Sequence, residues 1–194
     1  MSLVQNKTRN LTRMALIIAI EVILAFTNLG FIMVPPVSIT IMHIPVIVGS
    51  ILMGPVYGGV FGACFGIISL IKASMAGASP VDMLFSPMLS GAPIQSIIMC
   101  IVPRIILGIL PALLYNALRK HCKSDVLSIG IGAGVATIMH TLLVMLCLWA
   151  FFSAIAFREV FATLITVNGI LELIAGIVIA IGVCKPLLRL FGKK

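Results

Sequence analysis

The sequence predicts an all-α integral membrane protein: a bundle of six transmembrane helices with a short second helix and outer loops that close a pocket. Hydrophobic residues make up 61% of the chain and charged residues 9%, with a mean hydropathy of +1.28, which excludes an ordinary soluble domain. Long apolar runs recur along the 194 residues, without the short alternating strands of an outer-membrane barrel. We therefore expect a single transmembrane domain over residues 1–194.

Each predicted helix follows from an apolar run and its boundary residues. Basic residues precede the first run, which lacks a signal-peptide cleavage site and is interpreted as an uncleaved helix. The second and third runs are separated by Gly54-Pro55, because glycine ends a helix and proline begins the next. The predicted helices are Leu11 to Leu29, His43 to Met53, Val56 to Lys72, Ile94 to Leu118, Val126 to Phe152 and Val167 to Leu190.

The second predicted helix is too short to cross a membrane unaided. Its 11 residues span roughly 16 Å, about half of a ~30 Å hydrocarbon core. The preceding segment, Phe31 to Met42, contains Pro35-Pro36 and no charge, and we interpret it as a loop that dips into the protein. Non-helical backbone at membrane depth must be buried in protein or line a cavity. A pocket near one membrane surface is therefore predicted.

The net charge of +8 could indicate nucleic-acid binding, but the basic residues are clustered on one predicted side of the membrane. Ten of the 13 are Lys7, Arg9 and Arg13 before the first helix, Arg119, Lys120 and Lys123 after the fourth, and Lys185, Arg189, Lys193 and Lys194 at the end. The positive-inside rule then places both termini in the cytoplasm. We therefore expect the protein to interact with a lipid bilayer and not with nucleic acid.

Two outer loops and several stripes of small residues have open interpretations. The segment from Ala73 to Pro93 is long enough to indicate a lid or a binding loop, with a passive connector as the alternative. The outer loop from Ser153 to Thr166 is expected to pack back on the bundle. Glycines at fourfold spacing predict close packing of helices, whereas a similar alanine pair could contact a partner subunit. The stripes are Gly58, Gly62 and Gly66, then Gly130 and Gly134, then Ala15 and Ala19.

Three ionisable residues, Glu21, Arg104 and Glu172, fall inside predicted spans. An isolated charge there costs at least ~3 kcal/mol, so mutual pairing or a wet cavity is expected. One hypothesis is an ion pair of Arg104 with Glu21 or Glu172 that only fixes helix register. The other is that Arg104 presents its donor fork to an anionic or carbonyl-rich ligand. The two hypotheses are compatible.

Other polar residues cluster toward the outer half of the predicted bundle. His43 is interpreted as a cap, a core histidine or a ligand contact, and Gln95 and Asn168 as helix caps or ligand contacts. The candidate substrate-binding residues are Asn28, Thr40, His43, Lys72, Gln95, Arg104, Asn168 and Glu172. Catalytic pairs, metal-ligand clusters and ATPase motifs are not found in the sequence. We therefore expect no enzymatic activity, cofactor or metal, and an energy source on another polypeptide.

The segment IMHIPVIVGSILMGPVYGGVFGACFGIISLI resembles the second and third helices of the S-components of energy-coupling factor (ECF) vitamin transporters. VPRIILGILPALLYNAL is similar to their fourth helix, and NGILELIAGIVIA to their sixth. Ala15 and Ala19 match the alanine face that such proteins press against a transmembrane coupling subunit. The resemblance extends from Leu11 to Leu190.

This resemblance implies a substrate-binding subunit in a prokaryotic cell membrane, with one vitamin held in an outward-facing pocket. Its partners would be the coupling subunit and two ATP-binding-cassette ATPases. The segment AFTNLGFIMVPPVSITIMHIPV, with Phe85 to Pro87 and PRIILGILP, is most similar to pantothenate-type S-components. Arg104 or Lys72 could then meet the carboxylate, and Asn168, Gln95 or Thr40 the remaining polar groups.

Other hypotheses stay open at this point. Riboflavin, pyridoxine or a hydroxymethylpyrimidine could replace pantothenate as the ligand of an S-component. A membrane scaffold of the rod-shape type would use the alanine stripe as a partner surface and bind no small molecule. A self-sufficient secondary transporter would be expected to show repeated broken helices, of which the sequence has one clear instance.

Overall fold

A computed structural model describes residues 3–27, 30–34, 37–75, 83–122, 124–152 and 167–190. Within these residues the chain forms six long or medium helices and one β-hairpin. The elements are α1 Leu3–Phe26, β1 Phe31–Val34, β2 Val37–Thr40, α2 His43–Met53, α3 Pro55–Met75, α4 Pro93–His121, α5 Asp125–Phe152 and α6 Val167–Leu190.

The predicted class of a helical membrane protein is confirmed. Four helices, α3 to α6, are long and apolar enough to cross a membrane, and α2 is a shorter apolar helix. The first turns of α1 are polar and basic, so its apolar part is shorter than its full length of 24 residues. Large apolar side chains are exposed along the outside of the bundle, where lipid would cover them; Leu16, Ile23, Val102 and Val178 are examples.

The junction between α2 and α3 has the predicted form. Gly54 ends α2 with a φ of 101°, a backbone angle that glycine adopts without a steric penalty. Its N–H donates to the carbonyl of Ser50 at 2.7 Å. Pro55 begins α3 at once, because a first-turn position requires no N–H from proline.

The short helix α2 lies at the centre of the bundle. Nine of its 11 residues are buried, and it contacts all five other helices. Its side chains Val46, Ile47 and Ile51 belong to the main hydrophobic core. The predicted need of a half-length helix for protein neighbours is met by this central position.

The segment before α2 is more regular than predicted. Instead of an irregular loop, its backbone forms the antiparallel pair β1 and β2, with Phe31 opposite Thr40 and Val34 opposite Val37. The pairing satisfies backbone N–H and C=O groups that a dipping loop would leave without partners. The β2 strand runs beside α6, while Pro35-Pro36 lies outside the described residues.

The glycine stripes pack helices together, as predicted. A Cβ atom on Gly58 would collide with the carbonyl of Gly108 on α4, and one on Gly62 with the carbonyl of Arg104. On Gly66 it would lie 2.9 Å from the Cys100 carbonyl oxygen. The Gly130–Gly134 pair of α5 packs in the same way against side chains of α6. The backbones of α3 and α4 therefore approach as closely as residues without side chains allow.

Candidate functional site

Arg104 lies on α4 in the interior of the bundle, with 7% of its surface exposed. Its Nη1 donates to the carbonyl of Met99 at 2.8 Å. The guanidinium carbon is 5.6 Å from the centre of the Phe65 ring on α3 and 5.3 Å from the centre of the Phe85 ring. Two aromatic rings therefore enclose a buried cation, a contact that offsets part of its desolvation. Its Nε has no hydrogen-bond partner within the described part of the chain.

The hypothesis of an ion pair between Arg104 and Glu21 is wrong for the described structure. Glu21 is fully buried on α1, and neither carboxyl oxygen has a hydrogen-bond partner among the described residues. It lies within electrostatic range of Cys64 on α3. The alternative ion pair of Arg104 with Glu172 stays a prediction. Among the described residues, the guanidinium contacts a carbonyl and two aromatic rings.

His43, at the start of α2, is buried with 4% of its surface exposed. A Cβ atom on Gly176 of α6 would lie 3.3 Å from both the His43 Nε2 and the Thr137 Oγ1 of α5. The Thr137 hydroxyl donates to the carbonyl of Ala133 at 3.0 Å, which leaves its oxygen able to accept. Polar groups of α2 and α5 thus meet at a point where α6 has no side chain.

His140 was missed by the sequence analysis. It lies on α5, with its ring centre 6.2 Å from that of Phe65, and Arg104 and His43 are both within electrostatic range. The sequence does mark His140, because it interrupts a long apolar run. An ionisable residue inside a membrane span is a candidate functional residue. A histidine carries no formal charge at pH 7, so a selection of charged residues inside the spans does not include it. His140 and Arg104 both lie beside the Phe65 ring, so a residue that the sequence analysis did not select adjoins one that it did.

The described part of the predicted lid, residues 83–92, is fastened to the helices by serine hydroxyl groups. Ser86 lies 2.9 Å from Ser74 of α3, oxygen to oxygen, and the Ser96 hydroxyl of α4 is within 2.7 Å of both the Leu84 carbonyl and the Ser90 hydroxyl. Ser86 and Ser96 are fully buried. This network holds the neighbouring Phe85 over Arg104, so the segment takes part in enclosing the cation.

The remaining candidates lie farther from Arg104 or outside the described side chains. Gln95 precedes Arg104 by nine residues on α4, about 13 Å along the helix axis. Lys72 is half-buried near the end of α3, and Glu172 is half-buried one turn before Gly176. Three candidates and one loop fall where side chains are not described: Asn28, Thr40, Asn168 and Ser153 to Thr166.

Ala15 and Ala19 are both exposed on α1. The neighbouring exposed side chains Leu11 and Ile23 are apolar. Because α1 packs on α2 and α3 with its other side, the alanine pair forms a smooth strip on the outside of the bundle.

Chemically, the interior arrangement suits a small anion with further polar groups. A guanidinium forms charge-assisted hydrogen bonds with carboxylates, and nearby imidazole and hydroxyl groups can accept or donate. Among the described residues, no group of three or more His, Cys, Asp or Glu side chains is placed to hold a metal ion.

A buried cation enclosed by aromatic rings inside a helical bundle is typical of a membrane protein that binds a small molecule. The family model of the ECF transporter substrate-specific component matches residues 9–187, and the chain belongs to this family. The resemblance of the helix motifs is thereby confirmed. The chain is also similar to the pantothenic acid transporter PanT of Lactococcus lactis subsp. cremoris (strain MG1363), with 28% identity over 95% of this chain and 96% of the relative.

Proposed function

We propose that this chain captures pantothenate at the outer side of a prokaryotic cell membrane and delivers it inward. It would do so when docked on a transmembrane coupling subunit that carries two ATP-binding-cassette ATPases. Family membership supports the role of a substrate-binding subunit, and the similarity to a protein named as a pantothenic acid transporter supports the ligand. Membership in a transporter family also favours this function over a membrane scaffold.

The observation that carries the proposal is the environment of Arg104. Within the described part of the chain, this buried guanidinium has an Nε without a hydrogen-bond partner and aromatic rings on two sides, an environment suited to receive an anion. Pantothenate carries one carboxylate, an amide and two hydroxyl groups. Arg104 would pair with the carboxylate, and His43 is a proposed contact of the ligand. The candidates Asn28, Thr40, Lys72, Gln95, Asn168 and Glu172 remain proposed contacts of the ligand or of the outer loops.

The orientation and the docking surface follow from the positive residues and from α1. Ten basic residues on one predicted side support cytoplasmic termini and a site that opens outward. Ala15 and Ala19, which are exposed and small, support a docking surface on α1 where another helix can approach closely.

A thermal-stability panel tests the ligand directly. The detergent-purified chain is heated with pantothenate, riboflavin, pyridoxine or a hydroxymethylpyrimidine, each well above its expected dissociation constant. A ligand at 100 times its dissociation constant adds about 2.7 kcal/mol to stability. We expect a raised melting temperature with pantothenate and no shift with the other three.

Each other outcome has a defined meaning. A shift with riboflavin, pyridoxine or the pyrimidine, and none with pantothenate, would keep the substrate-binding subunit and replace its ligand. The absence of a shift with every vitamin would contradict the proposed ligand class.

A further inference from the structure

His140 is a half-buried residue that the proposed contact between Arg104 and a carboxylate does not use. Its Nε2 is inaccessible to solvent and has no hydrogen-bond partner within the described residues. The ring packs near Phe65, at 6.2 Å between centres and with a tilt of 34°. A buried imidazole nitrogen without a partner is costly, so such atoms in native proteins usually meet a ligand or a bound water.

Arg104, which lies against the same Phe65 ring, presents a second nitrogen without a partner among the described residues. Its Nε has no hydrogen-bond partner in the described structure, although its Nη1 donates to Met99. The two side chains come from different helices, α4 and α5. Both contact the same Phe65 ring from α3. One ligand could therefore reach both nitrogens at once.

The backbone of α6 packs closely against polar groups of α2 and α5. Gly176 lies where a Cβ atom would come within 3.3 Å of His43 Nε2 and Thr137 Oγ1. A larger side chain would project between these polar groups of α2 and α5. Because Thr137 and His140 lie about one turn apart on α5, these polar groups lie on the face of α5 that carries His140.

The two nitrogens differ in what they can bind. A guanidinium only donates and forms its strongest hydrogen bonds with carboxylates. An imidazole can donate from one nitrogen or accept at the other, which suits a hydroxyl group that does both. Building on the proposed function, we infer that His140 hydrogen-bonds a hydroxyl group of the ligand while Arg104 pairs with its carboxylate. His140 then determines specificity for the hydroxyl-bearing end of pantothenate.

The test compares affinity ratios across three ligands and three proteins. The ligands are pantothenate, pantothenol, in which an alcohol replaces the carboxylate, and a deoxy analogue without the hydroxyl groups. The proteins are wild type, His140→Phe, which keeps a ring against Phe65, and Arg104→Met, each in detergent. In wild type, loss of either ligand end is expected to weaken binding about tenfold to a hundredfold, as for a buried polar group left unpaired.

The two variants are expected to remove different preferences. His140→Phe should bind pantothenate and the deoxy analogue with a ratio near one, while it still prefers pantothenate to pantothenol. Arg104→Met should lose the preference for the carboxylate and keep that for the hydroxyl groups. His140→Gln, which retains a donor and an acceptor, should restore part of the hydroxyl preference.

The inference and the proposed function fail in different ways. If His140→Phe keeps the wild-type affinity ratio between pantothenate and the deoxy analogue, His140 only packs the core. This conclusion holds whether or not the overall affinity falls. If His140→Phe does not fold, the affinity ratio between pantothenate and the deoxy analogue is measured in His140→Leu and interpreted in the same way. Failure of the wild-type chain to bind pantothenate at all would overturn the proposed function together with this inference.

Discussion

Two buried ionisable side chains in this protein have different surroundings. Arg104 has a carbonyl acceptor and two aromatic rings against its guanidinium, whereas the Glu21 carboxyl group has no hydrogen-bond partner among the described residues. A buried polar group without a partner destabilises a fold, while one with good partners is close to neutral. Glu21 is therefore expected to reduce the stability of the fold. The carbonyl and the two rings are expected to hold the Arg104 guanidinium in place for a ligand.

Glu21→Met should raise the melting temperature of the purified chain. The substitution keeps a long side chain between α1 and α3 and removes an unpartnered buried carboxyl group, a gain of about 1–3 kcal/mol. Thermal unfolding in detergent measures the effect.

Ser50→Ala is the matched control with the opposite sign. The buried Ser50 hydroxyl accepts a hydrogen bond from the N–H of Ala112 at 3.2 Å, and its loss should lower stability by about 1 kcal/mol. A fall in melting temperature for Glu21→Met would show that the carboxyl group has a stabilising partner.

The sequence was sufficient to select Arg104 and His43 as candidates but not to predict which side chains surround them. A charge inside a span has few physical explanations, so Arg104 could be chosen from its position alone. Its contacts with Phe65 and Phe85 depend on how three segments come together, which no spacing within one helix reveals. His140 was missed because an imidazole is not counted in formal charge, although it interrupts an apolar run just as clearly.

The packing of α3 on α4 depends on glycine at Gly62. A methyl group there would collide with the Arg104 carbonyl, which is helix backbone and cannot rotate away. Gly62→Ala should therefore destabilise the chain by about 1–3 kcal/mol, as overpacking does. It should also weaken ligand binding, because the methyl group would displace the backbone of Arg104 and with it the guanidinium.

Gly182→Ala on α6 is the control for this substitution. A Cβ atom there would have no atom within 4 Å, so only helix propensity changes, in favour of alanine by about 0.5–1 kcal/mol. We expect unchanged or slightly raised stability and normal binding. Equal melting temperatures for the two alanine variants would contradict the close approach of α3 and α4.

Helix boundaries were predictable where a residue dictates them. Gly54-Pro55 gave the bounds of α2 to the residue, because glycine and proline restrict the backbone on either side. The start of α1 was placed eight residues late, at Leu11 instead of Leu3, because hydropathy reports the apolar part of a helix and not the polar turns before it. The β-hairpin was missed since Pro35-Pro36 indicates a break without indicating that the flanking residues pair.

The bundle as a whole leaves one side of α1 uncovered by the described helices. Ala15 and Ala19 are small and exposed there, whereas Arg104 lies in the interior of the bundle. In lipid, small residues permit close helix contact without any hydrophobic driving force. Ligand binding and docking would therefore use separate surfaces of the molecule.

Ala15→Trp combined with Ala19→Trp should leave pantothenate affinity unchanged and abolish energised uptake. The two indole rings would hold the coupling subunit away from α1 without touching the interior. Binding to the purified chain and uptake of labelled pantothenate into cells or proteoliposomes with the full transporter measure the two effects.

A matched double substitution, Val178→Trp with Val183→Trp on the exposed side of α6, controls for bulk at the lipid surface. It should affect neither binding nor uptake. Normal uptake by the α1 double variant would disprove the proposed docking surface.

Calorimetric titration of the purified wild-type chain with pantothenate, repeated on Arg104→Ala and Arg104→Met, tests most directly that a buried guanidinium holds the carboxylate of this vitamin. We expect saturable binding of one pantothenate per wild-type chain and affinity weakened about tenfold to a hundredfold in either variant, with both variants still folded. Unchanged pantothenate affinity in a folded Arg104 variant would contradict this assignment and leave Arg104 a purely structural residue.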